Sequence, residues 1–266
     1  MSTLLLFSPH RGSIPVTLLT LYSFTNTLVC LQITPLAAAS FTFHPLIGKD
    51  QCFLLIPLYN VTSNLSTFFL AALAVDIGLS LVYKTERLMT NCKFVMACVV
   101  YLTLLVLVET MQMRFDVQLQ YRVSRGVCSW TSPENGIVTN YINIGSLIAV
   151  ITPVFLIALS LVSLICNFRS ISTYNHTLLN SSRATLLLSV CFLTFHSVCF
   201  VVSLKAALLP LLVSEGVNVQ IHDRDRVQDV LLDGVYLTIA PLLIYVALPD
   251  IRQKFRLRVG TFIFLE

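Results

Sequence analysis

Few residues of this 266-residue chain have types and spacings that could do chemistry. No G-x-x-x-x-G-K, G-x-S-x-G or H-E-x-x-H pattern occurs, so a phosphate cradle, a serine nucleophile elbow and a helical zinc site lack a sequence basis. Cysteines stand at 30, 52, 92, 98, 128, 166, 191 and 199, without a CxxC pair or clustered histidines, which argues against zinc. Most lie inside apolar runs and read as small buried hydrophobes. Cys52 and Cys128 stand at the edges of apolar segments instead. The other candidates are isolated ionisable groups within apolar stretches: Asp76, Glu109, His196 and Asp233. Such groups are costly in lipid and usually face protein or water. None forms a pair suited to acid–base work, so the expected class is not an enzyme, and no metal or cofactor is expected.

These residues need elements to hold them, and the composition says which. Hydrophobic residues make up 56% of the chain and charged residues 11%, against about 25% charged in soluble domains. The mean hydropathy is +0.83. The net charge of +4 is too small for a dense nucleic-acid-binding face. Charged residues instead punctuate long apolar runs, which predicts spans at about 14–40, 53–82, 94–113, 138–166, 184–208 and 230–248. Each must be helical, because backbone facing lipid has no water to bond and the runs lack the alternation of barrel strands. The expected fold class is all-α, a polytopic membrane helix bundle.

Orientation follows from Lys and Arg. With a cytosolic N-terminus, inner segments hold ten of these residues and outer segments seven. Both ends are therefore expected to be cytosolic, with no cleavable signal peptide at the start. After the last span, Ile251, Phe255 and Val259 recur every four residues, with Arg252, Lys254, Arg256 and Arg258 elsewhere around the helix. That pattern predicts a short amphipathic helix over 250–259 lying on an anionic inner leaflet, with Pro249 at its start. Four sequons occur, at Asn60, Asn64, Asn175 and Asn180. In this topology the first two lie in a span and the last two in the cytosol, so all four read as chance matches.

The run Gln51-Cys-Phe-Leu-Leu-Ile-Pro-Leu-Tyr59 opens a span that closes Ala72-Leu-Ala-Val-Asp-Ile-Gly-Leu-Ser-Leu-Val-Tyr-Lys84. It resembles the third helix of rhodopsin-like seven-helix receptors, which opens with a disulfide cysteine and closes with an Asp-Arg-Tyr-like triplet. Cys52 and Asp76 are 24 residues apart, about 36 Å along a helix, so they sit at opposite membrane faces. The wording is most similar to the nematode serpentine chemoreceptors of the Srsx class. Pro153 resembles the fifth-helix proline, a bend point. Pro241-Leu-Leu-Ile-Tyr245 resembles the Asn-Pro-x-x-Tyr region, and the basic stretch after it the eighth helix. The resemblance covers roughly residues 50–258. Ile77 stands where the triplet has Arg, Ala240 where the later motif has Asn, and Tyr245 is one residue further from the proline. Six of the seven helices have counterparts; the first does not.

The resemblance implies a disulfide between Cys52 and Cys128, tethering an outer loop over the pocket mouth. It implies a plasma-membrane receptor of sensory cells that binds a small external ligand and signals to a heterotrimeric G protein. It makes Asp76 a switch residue, with Lys84, Arg87 and Arg183 as candidate partners, and puts Pro241 and Tyr245 on the G-protein face. Polar residues in mid-span or the outer halves mark the candidate pocket: Tyr59, Asn60, Ser63, Asn143, Ser146, His196, Asp233 and Tyr236. Helix-to-helix hydrogen bonding is the plainer account of each one taken singly. Two other readings stay open here. One is a truncated receptor relic without activity, motivated by the helix without a counterpart and the lost Arg. The other is a small transporter or channel subunit, although the halves show no repeat and no ionisable path.

Overall fold

A computed structural model describes residues 14–42, 49–83, 96–107, 151–167, 176–212, 223–249 and 252–253, for some of these the backbone alone. The described residues are helical almost throughout, with no strand among them. Four long helices are α1 (Ile14–Thr42), α2 (Lys49–Tyr83), α5 (His176–Leu212) and α6 (Asp223–Ala247). Between them lie two shorter apolar helices, α3 (Met96–Leu107) and α4 (Ile151–Asn167). The segment Leu58–Val82 of α2 is by itself long and apolar enough to cross a membrane. The 35 residues of α2 extend about 52 Å, well beyond a hydrocarbon core of about 30 Å.

Three of the long helices, α2, α5 and α6, start earlier than the apolar runs that announce them. α5 begins at His176, eight residues before the predicted span, and α6 begins at Asp223 rather than 230. The extra turns read His-Thr-Leu-Leu-Asn-Ser-Ser-Arg and Asp-Arg-Asp-Arg-Val-Gln-Asp. Charge ends an apolar run without ending a helix, because Arg and Gln are good helix formers. At the other end of α6, the helical turn carries on past Pro249. The Leu248 amide donates to the Ile244 carbonyl at 3.1 Å, and the Arg252 amide to the Leu248 carbonyl at 3.2 Å. Arg252 and Gln253 are exposed, as an amphipathic helix predicts, but most of 250–259 lies outside the described residues.

α1 packs along α2, α5 along α6, α2 against α5, and α1 against α6, so the four long helices close a ring. Its core is Leu18, Tyr22, Leu70, Leu73, Ile77, Leu188, Ile244 and their neighbours. α3 docks on α2 through stacked rings of Phe68 and Tyr101, with centroids 4.3 Å apart and planes 13° apart. α4 meets α2 where Gly78 faces Ser160, and the Ser163 hydroxyl donates to the Gly78 carbonyl at 3.5 Å. Small residues at a helix crossing let two backbones approach closely.

Across this bundle large apolar side chains cover the outside as well as the core. Leu31, Met96, Phe155 and Leu242 are 59–67% exposed, and much of α3 and α4 is similarly bare. Meanwhile Asn26, Gln32, Thr62, Ser66, Asp76, Ser182, Thr185 and Ser189 are buried. Exposed threonines fold back on their own helix: Thr34 donates to the Cys30 carbonyl, Thr103 to Val99, Thr194 to Val190 and Thr238 to Gly234, all at 2.7–2.8 Å. Ser and Thr hydroxyls within helices commonly take this route.

A methyl added at Gly78 would lie 3.6 Å from the Ser160 Cβ, an ordinary contact. Gly78→Ala is therefore expected to leave the α2–α4 contact intact and to stabilise the fold by about 0.5–1 kcal/mol, the helix cost of glycine. Gly78→Leu is expected to push the helices apart and lower the unfolding midpoint. Thermal unfolding of both variants in nanodiscs checks the pair, and a loss with alanine would show the crossing is tighter than this.

Candidate ligand cleft at the centre of the helix ring

The polar groups inside the ring converge at one level. The Ser66 hydroxyl on α2 donates to Asn26 Oδ1 on α1 at 2.5 Å. Tyr22 lies one turn before Asn26 on the same helix face. Its hydroxyl bonds to the Tyr236 hydroxyl on α6. The pairs Ser66–Asn26 and Tyr22–Tyr236 thus tie α1 to both α2 and α6 through buried side chains. A second α1–α2 pair lies about a turn and a half away in α1, where the Thr62 hydroxyl donates to Gln32 Oε1 at 2.6 Å.

The fourth helix contributes rings. Phe192 and His196, one turn apart on α5, stack with centroids 4.1 Å apart and planes inclined by 21°. Their spacing of four residues puts them on one helix face. Tyr236 meets His196 edge-on, at 5.0 Å and 88°, and Phe192 at 5.6 Å and 73°. The His196 Nδ1–H donates to the Phe192 carbonyl at 3.2 Å. In the neutral ring this leaves Nε2 as an acceptor.

Between these groups lies a cleft lined from all four long helices: Asn26 and Val29, then Ser63, Ser66 and Thr67, then Phe192 and His196, then Tyr236 and Leu237. Its free volume is about 10 Å³, room for about one water molecule. Drug-sized ligands need some 300 Å³ or more. A ligand therefore enters only if side chains move aside. His196 is the mobile member by position, since it is half-buried whereas Phe192 and Tyr236 are buried.

Three of the eight residues picked for the pocket, Ser63, His196 and Tyr236, meet in this cleft. Tyr59 packs against the core about a turn away, and Asn60 is half-buried beside it; neither lines the cleft. Asn143 and Ser146 lie outside the described residues, as does the side chain of Asp233. The sequence reading passed over Asn26, Ser66, Thr67, Tyr22 and Phe192. Asn26 carried a usable signal, being an amide in the middle of a charge-free run.

Asp76 is buried on α2, ten residues from Ser66 and so about 15 Å further along. Ser80 is buried one turn on. Arg183 is exposed on α5, and Lys84 and Arg87 lie outside the described residues. Pro153 is buried near the described start of α4, Pro241 is exposed within α6, and Tyr245 packs at the core's edge. Cys128 and the Cys52 side chain lie outside the described residues. Cys30, Cys98, Cys166 and Cys191 are free thiols. The Thr62 and Ser66 hydroxyls of the sequons at Asn60 and Asn64 are buried against α1. Ser182, of the sequon at Asn180, is fully buried too.

No protein-family model matches the chain, and no curated protein matches it in sequence.

Two outcomes follow from the hydrogen bonds. A double-mutant cycle on Asn26→Ala and Ser66→Ala is expected to give a coupling of about 0.6 kcal/mol, with 1.7 as a ceiling, as for other bonds between helices in lipid. Zero coupling in unfolding titrations would remove the pair as a tie. The buried Ser189 hydroxyl has no hydrogen-bond partner among the described residues. Ser189→Ala is expected to be neutral or to stabilise by about 1 kcal/mol, because it deletes an unmet polar group. A loss above that size would show that the hydroxyl is bonded.

Proposed function

We propose that this chain is a multi-pass membrane receptor of the serpentine chemoreceptor type, in the rhodopsin-like arrangement. It takes a small external molecule into the cleft between α1, α2, α5 and α6 and acts on a heterotrimeric G protein at its inner face. The apolar exterior of the bundle is the observation that carries the reading. Helices with bare Leu, Val, Phe and Met outside, and some Ser, Thr, Asn and Asp within the core, suit a lipid surround and are a poor fit to water.

The ring order supports the receptor form of this reading. A cleft shared by four helices is a place where one small molecule can alter their mutual packing. A ligand acts there only by its different affinity for two arrangements of the ring. On this proposal Asp76 and Ser80 belong to the inner half, beyond the cleft, where a packing change would be read out. A bridge between Cys52 and Cys128 at the outer end would hold the loop before α4 near the cleft mouth.

Epitope tags and nucleotide exchange test this together. A tag inserted after Gly126 is expected to bind antibody on intact cells, and a tag after Glu266 only after permeabilisation. The full chain in nanodiscs is expected to accelerate GTP loading of an added heterotrimeric G protein, further so with an activating ligand. The reverse tag pattern sinks the topology. Correct topology with no exchange on any G-protein class sinks the receptor reading.

A further inference from the structure

The ring of His196 occupies a slot with two aromatic walls. One wall is the face of Phe192, nearly parallel to it, and the other is Tyr236, nearly perpendicular. This is the arrangement in which a planar ring gains most from aromatic neighbours, face-stacked on one side and edge-to-face on the other. Around the slot stand hydroxyl and amide groups of Ser63, Ser66 and Asn26. Among the described residues that line the cleft there is no Asp, Glu, Lys or Arg. The nearest described acidic residue in α2, Asp76, is about 15 Å along the helix.

From this we infer that the cleft is a site for an uncharged planar ring bearing a hydrogen-bonding group, and that His196 is the built-in plug that fills it when the ligand is absent. The inference rests on the proposed receptor reading for its biological sense and on the ring geometry for its chemistry. With its imidazole in place, the slot leaves room for about one water. Swinging the half-buried imidazole outward exposes the Phe192 face and the Tyr236 edge to an incoming planar ring. A charged ligand would lose its hydration without meeting an opposite charge among these described residues, a cost that disfavours it. The polar lining instead rewards a single N–H, O–H or carbonyl group on an otherwise apolar body.

The test is equilibrium dialysis of the full chain in nanodiscs, with empty nanodiscs subtracted, using three compounds with one ring system. Indole is neutral, tryptamine carries an ammonium group and indole-3-acetate a carboxylate at pH 7.4. Indole is expected to bind saturably at one per chain, and the charged pair at least tenfold more weakly. His196→Ala removes the plug and is expected to tighten indole binding at least fivefold, whereas a residue of purely structural value would weaken it on removal. His196→Ser serves the same purpose if the alanine variant does not fold. Phe192→Leu keeps an apolar side chain but removes the stacking face, and is expected to weaken indole at least fivefold. Charged compounds binding as tightly as indole overturn the inference, as do unchanged or weaker binding in the plug variants and absence of indole binding. Indole binding without any G-protein response leaves the inference standing and sinks the receptor reading; ligand-free G-protein activation with no indole binding does the reverse.

Discussion

Satisfaction of polar groups from within the bundle is the constraint on which the rest of this structure depends. Hydroxyls and amides buried between helices must find partners in the protein itself. The chain meets this in two ways. Threonines and serines bond back to carbonyls three or four residues earlier, which keeps each helix self-contained. A few longer groups reach across to another helix, and these decide which helices neighbour each other. Asn26 with Ser66, and Gln32 with Thr62, run in opposite senses along α1 and α2. They fix an antiparallel pair in one register, since a slip by a residue would rotate both donors away from both acceptors.

The same constraint places the cleft. Polar side chains gather where the four long helices face one another, and side chains bonding across a gap fill it less completely than interlocking Leu and Ile. Phe192, His196 and Tyr236 close most of that gap with rings. The cleft therefore results from the packing that holds the ring and is not a separate feature added to it. Any molecule that enters must disturb contacts between α5 and α6, and through the tyrosine pair, contacts between α6 and α1. A binding event at this point has no way to remain local.

The helices were legible in the sequence because the few charged residues bound the apolar runs. Their ends were less so, since hydropathy measures where a helix is apolar and says nothing of where its hydrogen bonds stop. The candidate site was legible in part. His196, Ser63 and Tyr236 stood out as polar groups in apolar surroundings and do meet. Tyr59 and Asn60 looked equivalent and do not line the cleft. The difference is rotation about the helix axis, which an amphipathic stripe normally reveals. Here the helices are apolar on nearly every side, so no stripe marks the inward face. Asn26 and Ser66 went unnoticed for the same reason: each is an ordinary polar residue until a helix 40 positions away supplies its partner.

α2 shows how these strands of argument meet. Its side chains serve every direction: Ser66 and Thr62 toward α1, Phe68 toward α3, Gly78 toward α4, and the core residues Leu73 and Ile77 within the ring. With neighbours on several sides α2 buries most of its apolar surface, though Leu58, Leu79 and Val82 stay exposed, and its Leu58–Val82 segment has the clearest spanning character among the described helices. It also carries both ends of the resemblance, Cys52 at one and Asp76 at the other. On the proposed reading, this central helix links an outer tether to an inner carboxylate with the cleft between them. Its surroundings leave it little freedom to move by itself. On that reading the motion that a ligand drives falls on α5 and α6, whose shared rings fill most of the cleft.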